Sequence, residues 1–140
     1  ISPNFCRVNK SSAQTFTNLT VTELTNYTSS QIDTFGTFDL PEGRYTTPFS
    51  GWYKIYCTMS YSGNNSSGDR LACVFLDGAN AGYFVEMPAV QTDAWTTTMS
   101  YTAVLNIAAN VTIGVGGQQS SGGDLNVVSC ILMIEYMMPA

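Results

Sequence analysis

The sequence predicts an all-β protein, on three observations. No long segment shows helical periodicity, and Gly, Pro, Asn and Ser recur at short intervals. Gly51–Tyr61 alternates with period two, which is typical of a strand with one face in a core. Turn signals precede it, at Pro41-Glu-Gly43 and between Pro48 and Gly51. Many short strands separated by such turns indicate a sandwich or a barrel. In the alternating strand one face carries Tyr53, Ile55, Cys57, Met59 and Tyr61, and the other carries Trp52, Lys54, Tyr56, Thr58 and Ser60.

Ten strands are predicted, each bounded by residues typical of turns. The sharpest hairpin signal is Leu76-Asp-Gly78, because Asp-Gly tolerates the positive φ angles of a primed turn. Asn106–Asn110 predicts another short reversal. Two polar loops, Ser62–Asp69 and Gly116–Asp124, should be exposed and able to carry binding. In chain order the predicted strands are Asn4–Asn9, Gln14–Thr17, Thr20–Asn26, Tyr45–Pro48, Gly51–Ser60, Arg70–Leu76, Gly82–Met87, Trp95–Ile107, Val111–Gly116 and Val127–Tyr136.

Composition and charge exclude several kinds of partner. The 140 residues predict a single domain, residues 1–140, and only 11% of them are charged, with Ser, Thr, Asn and Gly in their place. Such a surface is commoner outside the cell, so we expect a secreted protein or one on a virion surface. The net charge is −5 with five Lys and Arg, which argues against nucleic acid and anionic membranes as partners. The longest apolar run, Cys130–Ile134, is too short to span a membrane.

The absence of histidine argues against an enzyme. It removes the commonest general base and metal ligand, so neither a Ser-His-Asp nor a Cys-His site can be built. We therefore predict no catalytic residue, no metal and no cofactor. The loop aspartates lack the spacing of a calcium loop and are interpreted as solvated turn residues, and the glutamates are scattered. These residues are Asp69, Asp77, Asp93 and Asp124, and Glu23, Glu42, Glu86 and Glu135.

Cysteines and sequons are the candidate sites of covalent chemistry. The four cysteines lack zinc-knuckle spacing, and their even number in an apparently extracellular chain favours two disulfides, with three possible connectivities. The alternative is buried free thiols that act as small hydrophobes. The disulfide candidates are Cys6, Cys57, Cys73 and Cys130. The glycosylation candidates, each in an Asn-x-Ser/Thr sequon, are Asn18, Asn26, Asn64, Asn65 and Asn110.

The order of landmarks resembles the globular head of the complement-q and tumour-necrosis-factor superfamily. An aromatic-Asp segment, Phe38-Asp39, precedes Gly43-Arg-Tyr-Thr-Thr-Pro48 and then Gly51-Trp-Tyr-Lys-Ile55. The last of these is similar to the family's Gly-x-Tyr-x-Phe, with Ile55 at the second aromatic position. Later landmarks are Leu76-Asp-Gly78, the Thr-rich Thr96–Leu105 and the closing Ser129–Ile134. One departure is Ala109-Asn110, where the family usually has Gly and an acidic residue.

The resemblance implies a ten-stranded jelly-roll β-sandwich that forms a homotrimer and has no enzymatic activity. It implies a trimer face of aromatic and aliphatic residues, although each candidate is also compatible with an ordinary place in the core. It also implies that the first and last strands are neighbours, which suggests a Cys6–Cys130 disulfide and leaves Cys57 to pair with Cys73. Cys57–Cys130 is the rival pairing. The candidates for the trimer face are Tyr53, Tyr61, Phe84, Tyr101 and Met133.

Two functions are compatible with these expectations. The first is an extracellular, non-enzymatic binding head that recognises a protein or a glycan through three linked copies of a weak site. The alternative is a structural subunit of an extracellular filament, fibre or viral or phage surface assembly, built from the same jelly roll. In that case the contact between copies would not close into a ring.

Overall fold

The computed structural model describes residues 4–63, 67–89 and 96–140, which form two antiparallel six-stranded sheets packed as a sandwich. Twelve strands lie within these ranges, and two of them, β3 and β5, have only two residues each. The other ten match the number expected of the jelly roll. The strands are β1 (Phe5–Lys10), β2 (Gln14–Phe16), β3 (Thr22–Glu23), β4 (Ser29–Asp33), β5 (Phe38–Asp39), β6 (Arg44–Thr46), β7 (Gly51–Tyr61), β8 (Asp69–Leu76), β9 (Ala79–Pro88), β10 (Thr97–Ile107), β11 (Thr112–Gln119) and β12 (Leu125–Pro139).

The chain passes repeatedly between the two sheets, which is the jelly-roll topology. Sheet A has the order β10-β7-β12-β1-β4, and β2 pairs with the early part of β12. Sheet B has the order β5-β6-β11-β8-β9, and β3 pairs with β11. From β7 onward the strands visit sheets A, B, B, A, B and A in turn. Neighbours within a sheet are therefore mostly distant in sequence, and the all-β jelly-roll sandwich predicted from the sequence is confirmed.

The core lies between the sheets and is built by the alternation seen in the sequence. The inward side chains of β7 are all completely buried, at 0% exposure for Tyr53, Ile55, Cys57, Met59 and Tyr61. From sheet B, Val74, Ile113 and Val115 close the core from the other side. A period-two pattern buries alternate residues because successive side chains of a strand point to opposite faces.

The turn chemistry is confirmed at the β8–β9 hairpin. Asp77 and Gly78 have φ angles of 51° and 78°, the positive pair that a primed turn requires. The Asp77 carboxylate accepts a hydrogen bond of 2.9 Å from the Thr112 amide, which ties the turn to the start of β11.

The strand predictions were wrong mainly where strands are short or polar. β4 and β5 were not predicted, because β4 carries the polar sequence SSQID at a sheet edge and β5 has two residues. Of the predicted Thr20–Asn26, only Thr22–Glu23 is strand, since Leu19 and Asn26 flank it with positive φ angles. The predicted start of β10 at Trp95 lies outside the described residues. No helix in the described ranges is long and apolar enough to cross a membrane.

Candidate functional site

The outward face of sheet A, here called the open face, is the larger of two candidate surfaces. It is formed by the outward side chains of β1, β7, β10 and β12, which the strand pairing arranges in cross-strand rows. The row nearest the chain termini contains Trp52, Asn106 and Met138. The next row contains Phe5, Lys54, Val104 and Glu135, and the third contains Arg7, Tyr56, Thr102 and Met133.

The end of the open face nearest the chain termini is apolar. Trp52, Val104 and Met138 are 37%, 49% and 52% exposed. Phe49, 47% exposed, lies on the core side of β12 instead, where its ring contacts Tyr136 at a centroid distance of 5.6 Å. Several large apolar side chains exposed side by side are typical of a surface that another molecule covers.

The opposite end of the open face carries hydroxyl groups instead. Thr58 and Ser100 share a hydrogen bond of 2.9 Å across β7 and β10, and Ser60 and Thr98 share one of 2.8 Å. These pairs satisfy each other within one protomer. This half of the face can therefore remain hydrated or be covered without leaving an unpaired hydroxyl.

A shallow depression of about 190 Å³ lies between the two halves. Its rim carries one cation and one anion, Lys54 and Glu135, which are direct cross-strand partners. No ion pair joins them. Among residues 4–63, 67–89 and 96–140, the one ion pair is Arg44–Glu23. The depression is lined by Phe5, Lys54, Tyr56, Thr102, Met133 and Glu135.

The outward face of sheet B differs because the chain itself covers it. Residues Ala72 to Phe75 of β8 are buried on both sides of the sheet, with exposure between 0% and 6%. Cys73 pairs with Gly116 of β11, and Phe75 pairs with Gly114. All four residues face the outward side of sheet B. There a Cβ at Gly116 would collide with the Thr22 carbonyl oxygen of β3, and one at Gly114 would collide with the Glu23 carboxylate. We call this surface the covered face.

The second candidate surface is the loop end, opposite the chain termini, defined by residues 17–21, 62–63, 67–68, 89 and 120–124. Its loops are joined by hydrogen bonds: Gly122 N–H donates to Asn18 Oδ1 at 2.9 Å, and Leu19 N–H donates to the Gln119 carbonyl at 2.8 Å. Ala89 N–H donates to the Gly68 carbonyl at 3.1 Å. The buried Gln119 amide donates to the carbonyl of Gly123 at 2.7 Å. This end is therefore a platform of hydrogen-bonded loops, with Leu19 and Val21 as its exposed apolar residues.

Three of the five residues considered for a trimer face lie in the sandwich interior. Tyr53 and Tyr61 are 0% exposed and Tyr101 is 8% exposed, so these are core residues. Met133 is half-buried on the open face. Phe84 is 37% exposed and stacks on Tyr101 at a centroid distance of 5.6 Å, on the side where β9 and β10 meet. The sequence could not distinguish the core aromatics from the surface aromatics, because strands that carry either kind show the same alternation of residues.

The structure does not bring together the cysteines of the expected Cys6–Cys130 disulfide. Cys6 lies opposite Ile134 and Cys130 opposite Lys10, four positions apart and about 13 Å along the strands, whereas a disulfide needs Cα atoms within about 7 Å. Cys73 belongs to sheet B and Cys57 to sheet A. In the rival pair, Cys57 and Cys130, the sulfur atoms are 3.8 Å apart. All four cysteines are buried free thiols in the structure.

Burial keeps the thiols of Cys6, Cys57 and Cys73 protonated and makes them poor nucleophiles. Burial raises the pKa of Cys6 and of Cys73 to about 12, with smaller contributions from the nearby Asp33 and Glu23 carboxylates. The hydrogen bond with Cys130, together with burial, raises the pKa of Cys57. A thiol that stays protonated at neutral pH neither attacks a substrate nor binds a metal.

The glycosylation candidates that the structure describes lie at turns. Asn26 and Asn110 are exposed with φ angles of 54° and 64°, and Asn18 is half-buried at the loop end. Asn18 uses its oxygen to accept from Gly122, so its amide nitrogen is not needed for that contact. Asn64 and Asn65 lie outside the described residues.

The acidic residues form no metal-binding cluster within the part of the chain that the structure describes. No group of three or more His, Cys, Asp or Glu side chains could hold a metal ion there. Glu23 is engaged with Arg44, at 2.9 and 3.1 Å, and Asp77 holds the start of β11. Asp93 lies outside the described residues.

Comparison with known proteins identifies the fold. No protein-family model matches the chain, and no curated protein sequence does. Among solved structures, the globular domain of zebrafish complement 1qA protein matches with a TM-score of 0.66 and 12% identity, covering 98% of this chain and 99% of that one. Eiger TNF from S. frugiperda matches with a TM-score of 0.64 and 12% identity, covering 98% and 95%. The chain thus has the fold that its sequence landmarks resemble.

Proposed function

We propose that this protein, which has the complement-q/tumour-necrosis-factor fold, is a non-enzymatic extracellular binding head that acts as a homotrimer. In this proposal three copies associate through the open face, and their loop ends recognise a protein or a glycan. The observation that carries the proposal is the exposed apolar end of the open face, at Trp52, Val104 and Met138. The chain buries the outward side of β8 and β11, the centre of its other sheet, with its own residues, so the open face is the surface that needs a partner.

A ring of three copies requires two different surfaces that fit each other, because its contacts are heterologous. The open face supplies one of them. The other candidate is the neighbouring side of the sandwich, where Phe84 of β9 is 37% exposed and stacks on Tyr101 of β10. Strand β10 lies between the two surfaces, at the edge of sheet A, so one copy can offer its β9 side to the open face of the next.

The loop ends are the proposed recognition surface. The strands of the open face run from the loop end to the chain termini, so three copies around an axis along these strands point their loop ends the same way. Serine, glycine and asparagine predominate there, as at Asn18 and Ser120–Gly123, which suits polar ligands. Three weak sites presented together gain avidity through effective concentration without any new contact.

The mass of the native particle tests the proposal. We expect a discrete species of three times 15.1 kDa in light scattering or native mass spectrometry. Val104→Asp places a charge at the apolar end of the open face and should convert the trimer to single chains with an unchanged circular dichroism spectrum. The control is Leu19→Asp, which charges a more exposed apolar residue, 64% against 49%, away from the open face.

Three other outcomes would contradict the proposal. A wild-type protein of single chains at micromolar concentration would contradict it. Long polymers would support the structural subunit of a filament or fibre instead. Trimers that survive Val104→Asp and dissociate with Leu19→Asp would move the contact away from the open face.

A further inference from the structure

The depression at the centre of the open face carries two opposite charges in an apolar setting. Lys54 and Glu135 are cross-strand partners, with the apolar side chains of Val104 and Phe5 on either side of them in the same row. Met133 forms part of the floor. Lys54 is exposed and Glu135 half-buried, and both charges can remain solvated while the face is open.

Covering this face changes the energetics of both charges. A charge removed from water is costly unless it gains an opposite charge or hydrogen bonds. The structure holds no ion pair between Lys54 and Glu135, although they are adjacent. An apolar partner would remove both charges from water and leave them only each other as partners, whereas an occupant with charges of its own compensates both more fully.

We propose that the occupant is a second copy of this chain, and that Lys54 of each copy pairs with Glu135 of the neighbouring copy. The charge pattern of the row is the reason. In the proposed ring the three open faces also turn toward the axis, and a row with one cation and one anion repeated three times there gives six charges of alternating sign. Each anion then has the cation of its own copy on one side and that of the next copy on the other. This inference rests on the proposed trimer and assigns its register to two residues.

Charge reversal combined with mixing tests the pairing. Lys54→Glu and Glu135→Lys are made singly and together, and the dissociation constant of the assembly is measured by analytical ultracentrifugation. Each single change should raise that constant about tenfold or more, because it sets three pairs of like charges against each other. The double variant should assemble like wild type. Glu42→Lys is the matched control, since Glu42 is exposed on the sheet B side and carries the same charge change as Glu135→Lys.

Mixing the two single variants distinguishes pairing between copies from pairing within one copy. If the pairs lie between copies, a mixture contains trimers in which most contacts join opposite charges, and assembly returns in part. If each Lys54 pairs with its own Glu135, every chain keeps its internal repulsion and mixing restores nothing, which would overturn the proposal. Single variants that assemble like wild type would also overturn it.

Two measurements keep folding and assembly separate. Circular dichroism of each variant shows whether the sandwich has formed. If a reversed variant does not fold, Lys54→Gln and Glu135→Gln replace it, and each should weaken assembly less strongly and make it less sensitive to salt. A wild-type protein of single chains would contradict the proposed function itself. Wild-type trimers that are insensitive to all of these changes would contradict only the Lys54–Glu135 pairing.

Discussion

Strands β7 and β8 are both central strands of their sheets, and they are buried in different ways. β7 alternates along its whole length, with one face in the core and the other facing outward. β8 is buried on both faces from Ala72 to Phe75. The difference arises outside the two strands: β3 and the Glu23–Arg44 pair lie against the outward side of sheet B, and no described segment of the chain does this for sheet A.

The contrast shows that the chain covers the centre of one sheet with its own residues and leaves the other sheet exposed. Gly114 and Gly116 lack the Cβ atoms that would collide with β3 and Glu23, so the chain can close over the covered face. The corresponding outward positions of sheet A carry the large side chains of Trp52, Lys54 and Tyr56 instead. The covered face is thus completed within one protomer, whereas the open face stays exposed.

The largest expected effect comes from displacing the cover. Gly116→Ala places a methyl group against the Thr22 carbonyl oxygen and 2.8 Å from Glu23 Cα. We expect the free energy of unfolding to fall by about 3 kcal/mol, as for an overpacked site, in urea denaturation at a fixed chain concentration. Gly123→Ala is the control, because nothing lies within 4 Å of its Cβ position, and it should stay within about 0.5 kcal/mol of wild type. Equal stability of the two variants would show that β3 is not seated on β11.

A smaller effect should appear in alkaline solution, where the cover protects Cys73. Its pKa is raised to about 12 by burial and by Glu23, from an ordinary value of 9.0. Below pH 9 the thiol is protonated in both states. Between pH 9 and 12 the unfolded chain loses this proton and the native protein keeps it. The unfolding free energy therefore falls as pH rises, by about 1.4 kcal/mol per pH unit for this thiol.

Cys73→Ala should remove that share of the pH dependence. The measurement is the slope of unfolding free energy against pH between 9 and 11 for both proteins. Cys6→Ala is the comparison, because burial in the core raises the pKa of Cys6 to about 12 as well, and it should remove an equal slope. A Cys73→Ala slope identical to that of wild type, with the Cys6→Ala slope reduced, would mean that the cover does not exclude water from Cys73.

The sequence predicted the features that depend on neighbouring residues. The burial of β7 follows from strict alternation, and the Asp77-Gly78 turn follows from two residues that accept positive φ angles. The order of landmarks was enough to predict the jelly roll. Short polar strands such as β4 were missed because pairing with β1, rather than their own pattern, makes them strands.

Features that depend on long-range register could not be predicted. Both sheets contain alternating strands, so the sequence does not tell which outward face the chain covers with β3. To test a Cys6–Cys130 disulfide, one must know the register of the two neighbouring strands as well as their adjacency. That register places the two residues four positions apart. The Glu23–Arg44 pair likewise joins residues that only the approach of β3 to β6 brings within 2.9 Å.

The smallest expected effect compares one glutamate on each face. Glu23→Gln removes the ion pair with Arg44 on the covered face, where the side chains are 12% and 34% exposed, and should cost about 1 kcal/mol of unfolding free energy. Glu135→Gln on the open face should cost less than about 0.5 kcal/mol, because Glu135 has no ion pair among the described residues of its own chain. Both are measured by urea denaturation below the concentration at which copies associate. Above that concentration only Glu135→Gln should lose further stability relative to wild type, because its partner then belongs to another copy. Equal costs under both conditions would contradict the distinction between a face completed within the chain and one completed by a neighbour.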